Sequence, residues 1–247
     1  MTSINKNNQL IIIDESTETH NWWFKECFHS WEPITFMIFD KYLNQSNYLI
    51  DIGAWIGTTC LYGSKISKGV YAIEADPHSI IDLKKNIIIN GAVNIRLCEE
   101  PIFNKKTQIY FGPYETDWNT SSSHIRIEKK DDKDQLMATT TYRAFLDEYQ
   151  IRDVGLVKVD IEGGEEHIIN DLFDETIKMR PKPPIYLSFH ISWWQDKNIE
   201  RFQNNWSNYK YIYHDDLIIP IECVNSFLEE NPMAALLFTD QLFAIDH

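Results

Sequence analysis

Short apolar runs alternate along this chain with longer amphipathic stretches, the pattern expected of strands and helices taken in turn. Tyr48-Leu-Ile-Asp51-Ile52, Val70-Tyr-Ala-Ile-Glu74, Val93–Leu97, Val154–Val159 and Ile185–His190 read as strands. Thr107–Phe111, as an insertion or edge pairing, Met137–Thr141, Tyr209–Tyr213 and a final strand through Leu236 and Leu242–Ile245 add shorter ones. A helix is expected from Asp76 to Asn90, with Pro77 in its first turn and Asn90-Gly91 at its stop. Others are expected at Tyr142–Gln150, Glu165–Met179, Asn198–Trp206 and around Ile221–Glu229. Residues 20–44 carry Trp22, Trp23, Phe24, Phe28, Trp31, Phe36, Phe39 and Tyr42, spaced as two amphipathic helices with Pro33 at a helix start. Residues 1–20 are polar and expected to be loosely ordered, apart from a strand or docking segment at Leu10–Ile13. The alternation predicts a three-layer α/β/α sandwich on a mostly parallel sheet. Residues 1–47 form an aromatic-rich helical extension to a main domain over 48–247.

The most informative stretch is Asp51-Ile-Gly53-Ala54-Trp-Ile-Gly57, which turns the first strand into a helix. Gly53 permits the sharp turn and Gly57 the close approach of helix to strand. A dinucleotide fingerprint reads G-x-G-x-x-G and sets a pyrophosphate against a helix N-terminus. Here the first glycine is Asp51, whose carboxylate repels a pyrophosphate but tolerates a cofactor with an amino group, a sulfonium and no phosphate. S-adenosylmethionine (SAM) is therefore expected in preference to NAD. Glu74 ends the next strand, where its carboxylate faces ribose hydroxyls. Asp76 follows it, and Glu100, past the third strand, is placed to accept from an adenine amino group.

The chain of 247 residues is 43% hydrophobic, enough for one substantial core. A formal net charge of −14 argues against nucleic acid and against an anionic membrane surface. Cys27, Cys60, Cys98 and Cys223 lie far apart and indicate neither a disulfide frame nor a zinc site. No signal-peptide pattern or membrane-length apolar run is present, so a cytoplasmic location is expected. Oligomeric state is not legible.

In an open α/β sheet, ligands bind beyond the carboxyl ends of the strands, and Asp160, Glu162 and His190 all fall there. Asp160 or His190 suits removal of a proton from an acceptor hydroxyl. Alternatively, the two carboxylates and the imidazole hold a divalent ion. Each also has an ordinary structural explanation: Asp160 as a helix cap, His190 as a core histidine, Glu162 as a solvated loop residue. Glu165, Glu166 and His167 read as helix surface, Glu128–Asp134 as a solvated loop, and the serines around 121–123 as a linker or a loop near the site.

Four blocks, Asp51–Gly57, Ile73-Glu-Ala-Asp-Pro77, Asn86–Asn90 and Leu156-Val-Lys-Val-Asp-Ile-Glu-Gly-Gly-Glu165, resemble the FkbM family of class I, Rossmann-like methyltransferases. The last block is the most specific. The resemblance spans roughly 48–190 and implies a seven-stranded sheet with a reversed last strand, SAM as cofactor, and O-methylation of a small-molecule or sugar hydroxyl. It implies that Asp51, Gly53, Gly57 and Glu74 bind SAM. Pro101 stands where the family often has alanine, which weakens the expected contact through Glu100. A SAM- or nucleotide-binding module without catalysis is the rival reading from another class. RNA ribose methylation, suggested by Lys158-x-Asp160 on one strand face, is disfavoured by the acidic charge.

Overall fold

The computed structural model describes residues 1–14, 18–113, 123–126, 128–130 and 132–243. A hairpin of β1 (Thr2–Lys6) and β2 (Gln9–Ile13) leads into α1 (Glu18–Glu26) and α2 (Pro33–Tyr42). The core unit follows: β3 (Tyr48–Ile52), α3 (Thr58–Ile66), β4 (Gly69–Ile73), α4 (Pro77–Ile89) and β5 (Ile95–Cys98). Next come β6 (Gln108–Pro113), β7 (Ser123–Arg126), β8 (Gln135–Ala138) and α5 (Tyr142–Glu148). β9 (Val154–Val159), α6 (Glu165–Thr176) and β10 (Ile185–Ser188) return to the core. The chain ends with α7 (Gln203–Trp206), β11 (Tyr211–His214), β12 (Leu217–Ile218), α8 (Val224–Glu230) and β13 (Ala235–Thr239).

Eight strands form the main sheet in the order β12-β11-β13-β10-β9-β3-β4-β5. From β10 to β5 the pairing is parallel, while β13 runs antiparallel between β10 and β11. The sheet therefore has one strand more than the seven expected, because the turn after β11 folds the two-residue β12 back onto that edge. All five β4 residues are buried, as an apolar run covered on both faces requires. One face packs Phe145, Leu172, Phe173, Trp206 and Leu228 from α5 to α8. The other packs Phe24, Phe28, Phe36, Phe39 and Tyr62 from α1 to α3, together with Ile11 and Ile13 of the hairpin.

The N-terminal stretch thus opens with an ordered hairpin, not a loose polar segment. Its alternating pattern buries Ile11 and Ile13, and the Asn90 side chain caps its backbone, accepting from Ile12 N at 3.0 Å and donating to Ile12 O at 2.6 Å. Asn86 Oδ1 accepts from Asp14 N at 2.8 Å, and Asn86 Nδ2 donates to Ile56 O, also at 2.8 Å. Lys6, 4% exposed, donates to the carbonyls of Phe28, His29 and Trp31 and so holds the turn between α1 and α2.

β6, β7 and β8 make a separate three-stranded antiparallel sheet. The end of the serine segment therefore belongs to a strand, while residues 118–122 lie outside the described ones. The charged run 128–134 is not uniformly solvated: Asp134 is buried, paired with Arg126 and accepting from Lys130 N. The strand expected at 242–245 lies partly outside the described residues, and Leu242 and Phe243 are not in a strand.

Candidate active site

A cavity of about 500 Å³ opens at the carboxyl ends of β3, β4, β9 and β10. β3 delivers the chain to Gly53, whose φ of +88° no side chain adopts easily. A Cβ on Gly53 would meet the Asp160 carbonyl at 1.8 Å, so the Gly53 loop and the Asp160 turn touch backbone to backbone. One on Gly57 would meet Leu83 of α4 at 2.8 Å.

Glu74 stands at the end of β4, nearly buried and lining the cavity. Its Oε2 accepts from Trp55 N at 2.6 Å, and its Oε1 from Ala75 N at 2.9 Å and Asp76 N at 2.8 Å. These bonds fix the carboxylate and use both lone pairs of Oε1, leaving one on Oε2 to accept a further hydrogen bond. Burial pushes its pKa up to about 7, against the pull of the backbone donors. Asp76 also lines the cavity while capping α4 through His78 N and Ser79 N. Gly53 and Ala54 line it as well.

Three expected cofactor residues do not reach the cavity. Asp51 lies wholly buried beneath it, Gly57 faces α4, and Glu100 is exposed and does not line it. Pro101 and Ile102 line the wall at that place, so the segment offers an apolar surface and not the Glu100 carboxylate.

At the floor, the buried Asp51 on β3 is level with Lys158 on β9, which lines the cavity. Lys158 Nζ lies 3.4 Å from Asp51 Oδ1, 3.4 Å from Gly53 O and 3.6 Å from Asp160 Oδ2. Thr59 Oγ1 donates to Asp51 Oδ2 at 2.7 Å. Burial opposes the Lys158 charge, but Asp51, Asp160 and Glu32 outweigh it and hold the ammonium above the ordinary lysine range. Burial raises Asp51, with Lys158 and Thr59 pulling the other way. With three carboxylates near one ammonium, the lysine stays charged.

Asp160, Glu162 and His190 do converge. His190 Nε2 is 3.6 Å from both Asp160 Oδ1 and Glu162 Oε2. Glu165 organises them: it is fully buried, 2.8 Å from His190 Nδ1, and accepts from Trp194 Nε1 at 3.0 Å and Gly163 N at 3.2 Å. Glu166 accepts from Gln195 N, Asp196 N and Arg201. Both glutamates thus hold the segment that follows β10, and neither is the helix surface expected. Their acidic pattern resembles an ordinary helix first turn; the available signal was the Gly163-Gly164 pair, of which Gly163 lets that turn press against Trp193 in the segment after β10. Burial pulls the His190 imidazolium down, but Glu165, Asp160 and Glu162 outweigh it and raise it to about 9. Burial likewise lifts Glu162 to about 7.

Trp22, Trp23, Trp31 and Glu32 form the outer wall. Trp23 packs edge-on against Trp31 and Trp55. Glu32 accepts from Thr35 at 2.7 Å, and burial, with Asp160 nearby, raises its pKa.

A family model described as the methyltransferase FkbM domain matches residues 51–217. The chain belongs to the FkbM methyltransferase family. No curated protein matches it. Among solved structures, it is similar to the methyltransferase FkbM from Methylobacillus flagellatus KT, at 14% identity over 79% of this chain and a TM-score of 0.50. The match spans only 44% of that longer chain. An rRNA methylase from Streptococcus thermophilus is similar at 10% identity over 84% of this chain and 95% of its own, with a TM-score of 0.48. A precorrin-6y C5,15-methyltransferase from Geobacter metallireducens GS-15 matches at 13% identity over 76% and 75% of the two chains, with a TM-score of 0.45. The FkbM chain thus has a Rossmann-like fold. Among its described residues no helix is long and apolar enough to cross a membrane.

Proposed function

We propose that this FkbM protein transfers the methyl group of SAM to a hydroxyl oxygen of a small-molecule or glycan acceptor. The observation that carries the reading is one continuous cavity with Glu74 on one side and Asp160, Glu162 and His190 on the other. The donor set suits the cofactor: carboxylates and apolar groups line the Glu74 side, the reverse of what a pyrophosphate needs. When bound, SAM supplies a carbon activated by its sulfonium. The chain's own work is placement and proton removal. Glu74 holds the ribose, and Pro101 and Ile102 border the base. The trio would position the acceptor oxygen toward the methyl group and take up the proton that the hydroxyl loses. The tryptophan wall beside Glu32 pairs ring faces with a hydrogen-bond acceptor, a combination that supports a sugar-like acceptor.

The test combines calorimetry with SAM, using NAD as control, and turnover against a panel of sugars and other hydroxyl compounds. SAM binding, no heat with NAD, and an O-methyl product are expected. Asp160→Asn is expected to bind SAM yet lose turnover. Absence of SAM binding, or SAM binding with no methyl product from any acceptor class, would overturn the reading in favour of a binding module.

A further inference from the structure

We propose that Asp160, Glu162 and His190 together bind one divalent cation on the acceptor side of the cavity. The inference deepens the methyltransferase reading and rests on it for its role, although the ion site stands on its own geometry.

The argument begins with the imidazole. Glu165 Oε1 lies 2.8 Å from His190 Nδ1, and the carboxylate also accepts from Trp194 Nε1 and from the backbone of Ile161 and Gly163. A buried carboxylate surrounded by donors is acceptor only, so Nδ1 carries a hydrogen and Nε2 is the atom turned toward the cavity. Trp193 stacks on the ring at 5.2 Å and 7°, which fixes its plane. A histidine held by a carboxylate at one nitrogen and presenting the other is the usual outer support of a metal-ligating imidazole.

The distances then separate a proton from a larger cation. A charged N–H to carboxylate bond closes to roughly 2.7–2.9 Å. Nε2 instead stands 3.6 Å from Asp160 Oδ1 and 3.6 Å from Glu162 Oε2, too far for a hydrogen bond to either. Ligand atoms from all three side chains lie within 4.8 Å of one another. An ion about 2.0–2.2 Å from each of three ligands needs spacings of roughly 3.0–3.6 Å between them, depending on geometry. The two spacings from Nε2, 3.6 Å each, meet that requirement.

The oxygens are also available. Asp160 turns Oδ2 to Lys158 and leaves Oδ1 on the His190 side. Glu162 Oε2 is buried and accepts no hydrogen bond, since the imidazole that faces it stands 3.6 Å away. One imidazole and two carboxylates suit Mn²⁺ or Mg²⁺ better than a thiophilic metal. Three protein ligands leave positions open toward the cavity. An acceptor hydroxyl bound there would lose its proton to water more readily.

The test is titration of Mn²⁺ into untagged, metal-free protein, following the loss of the free Mn²⁺ electron paramagnetic resonance signal, with SAM binding measured in parallel. One Mn²⁺ per chain is expected. Asp160→Asn and Glu162→Gln are each expected to weaken it at least tenfold while retaining SAM binding as proof of folding. Glu165→Gln, which removes no ligand, is expected to weaken it about 10–100-fold through the loosened imidazole. SAM binding without Mn²⁺ binding would overturn the ion site and leave the methyltransferase reading standing. Mn²⁺ binding unchanged by Asp160→Asn and Glu162→Gln would also overturn it, placing the ion elsewhere. Mn²⁺ binding sensitive to those changes, in a protein that ignores SAM, would support the ion site and remove its proposed role in methyl transfer.

Discussion

Replacing Lys158 by methionine isolates the ion cluster at the cavity floor. Methionine keeps most of the stem's volume, so the change removes charge more than packing. The ammonium is 3.4 Å from Asp51 Oδ1, which accepts no hydrogen bond and whose residue has no exposed surface. In the variant, only Thr59 still donates to the Asp51 carboxylate. Removing one member of a buried pair costs about 3–5 kcal/mol, because the other charge stays desolvated. In a domain of this size each kcal/mol lowers Tm by about 2–4 °C, so a fall of about 6–20 °C is expected. The assay is thermal unfolding followed by circular dichroism for the wild type, Lys158→Met, Asp51→Asn and the double variant. Asp51→Asn removes the stranded charge, so the two changes should couple by about 0.5–3 kcal/mol, the double variant being more stable than additivity allows. A Lys158→Met protein melting within 3 °C of wild type, or strictly additive effects, would refute the reasoning.

Three further outcomes follow from the structure. Gly53→Ala places a Cβ 1.8 Å from the Asp160 carbonyl at φ +88°, forcing the Gly53 loop and the Asp160 turn apart; turnover should fall about 100-fold or more. Gly91→Ala, at φ +60° with nothing within 4 Å of the new atom, should lose only about 1–2 kcal/mol and keep its activity. Glu74, raised to about 7 by burial, must be ionised to accept from ribose hydroxyls. SAM affinity should therefore be flat above that pH and fall about tenfold per unit below it, a dependence that calorimetry should find absent in Glu74→Gln.

The fold was legible where local rules decide. The Gly53 turn, the Pro77 helix start and the position of Glu74 follow from backbone freedom, capping and strand length, all read along one segment. Asp160, Glu162 and His190 met because a parallel sheet gathers strand ends. The Asp51–Lys158 pair was hidden because it depends on which strand lies beside which: Asp51 is opposite Lys158 only once β9 is known to neighbour β3. Glu165 was misread for the same reason, its burial arising from the His190 loop that packs on it from 25 residues away. Glu100 is exposed and absent from the cavity lining, which strand position alone does not reveal.

The place of β13 has a consequence for how the protein is made. β10 exposes one edge until Ala235–Thr239 inserts between it and β11, although Ser188 is synthesised much earlier. At about 5–20 residues per second on a ribosome, that edge waits several seconds for its partner. During that interval an apolar strand beside His190 presents unpaired backbone groups to any neighbouring chain. The His190 end of β10 is thus the last part of the sheet to close.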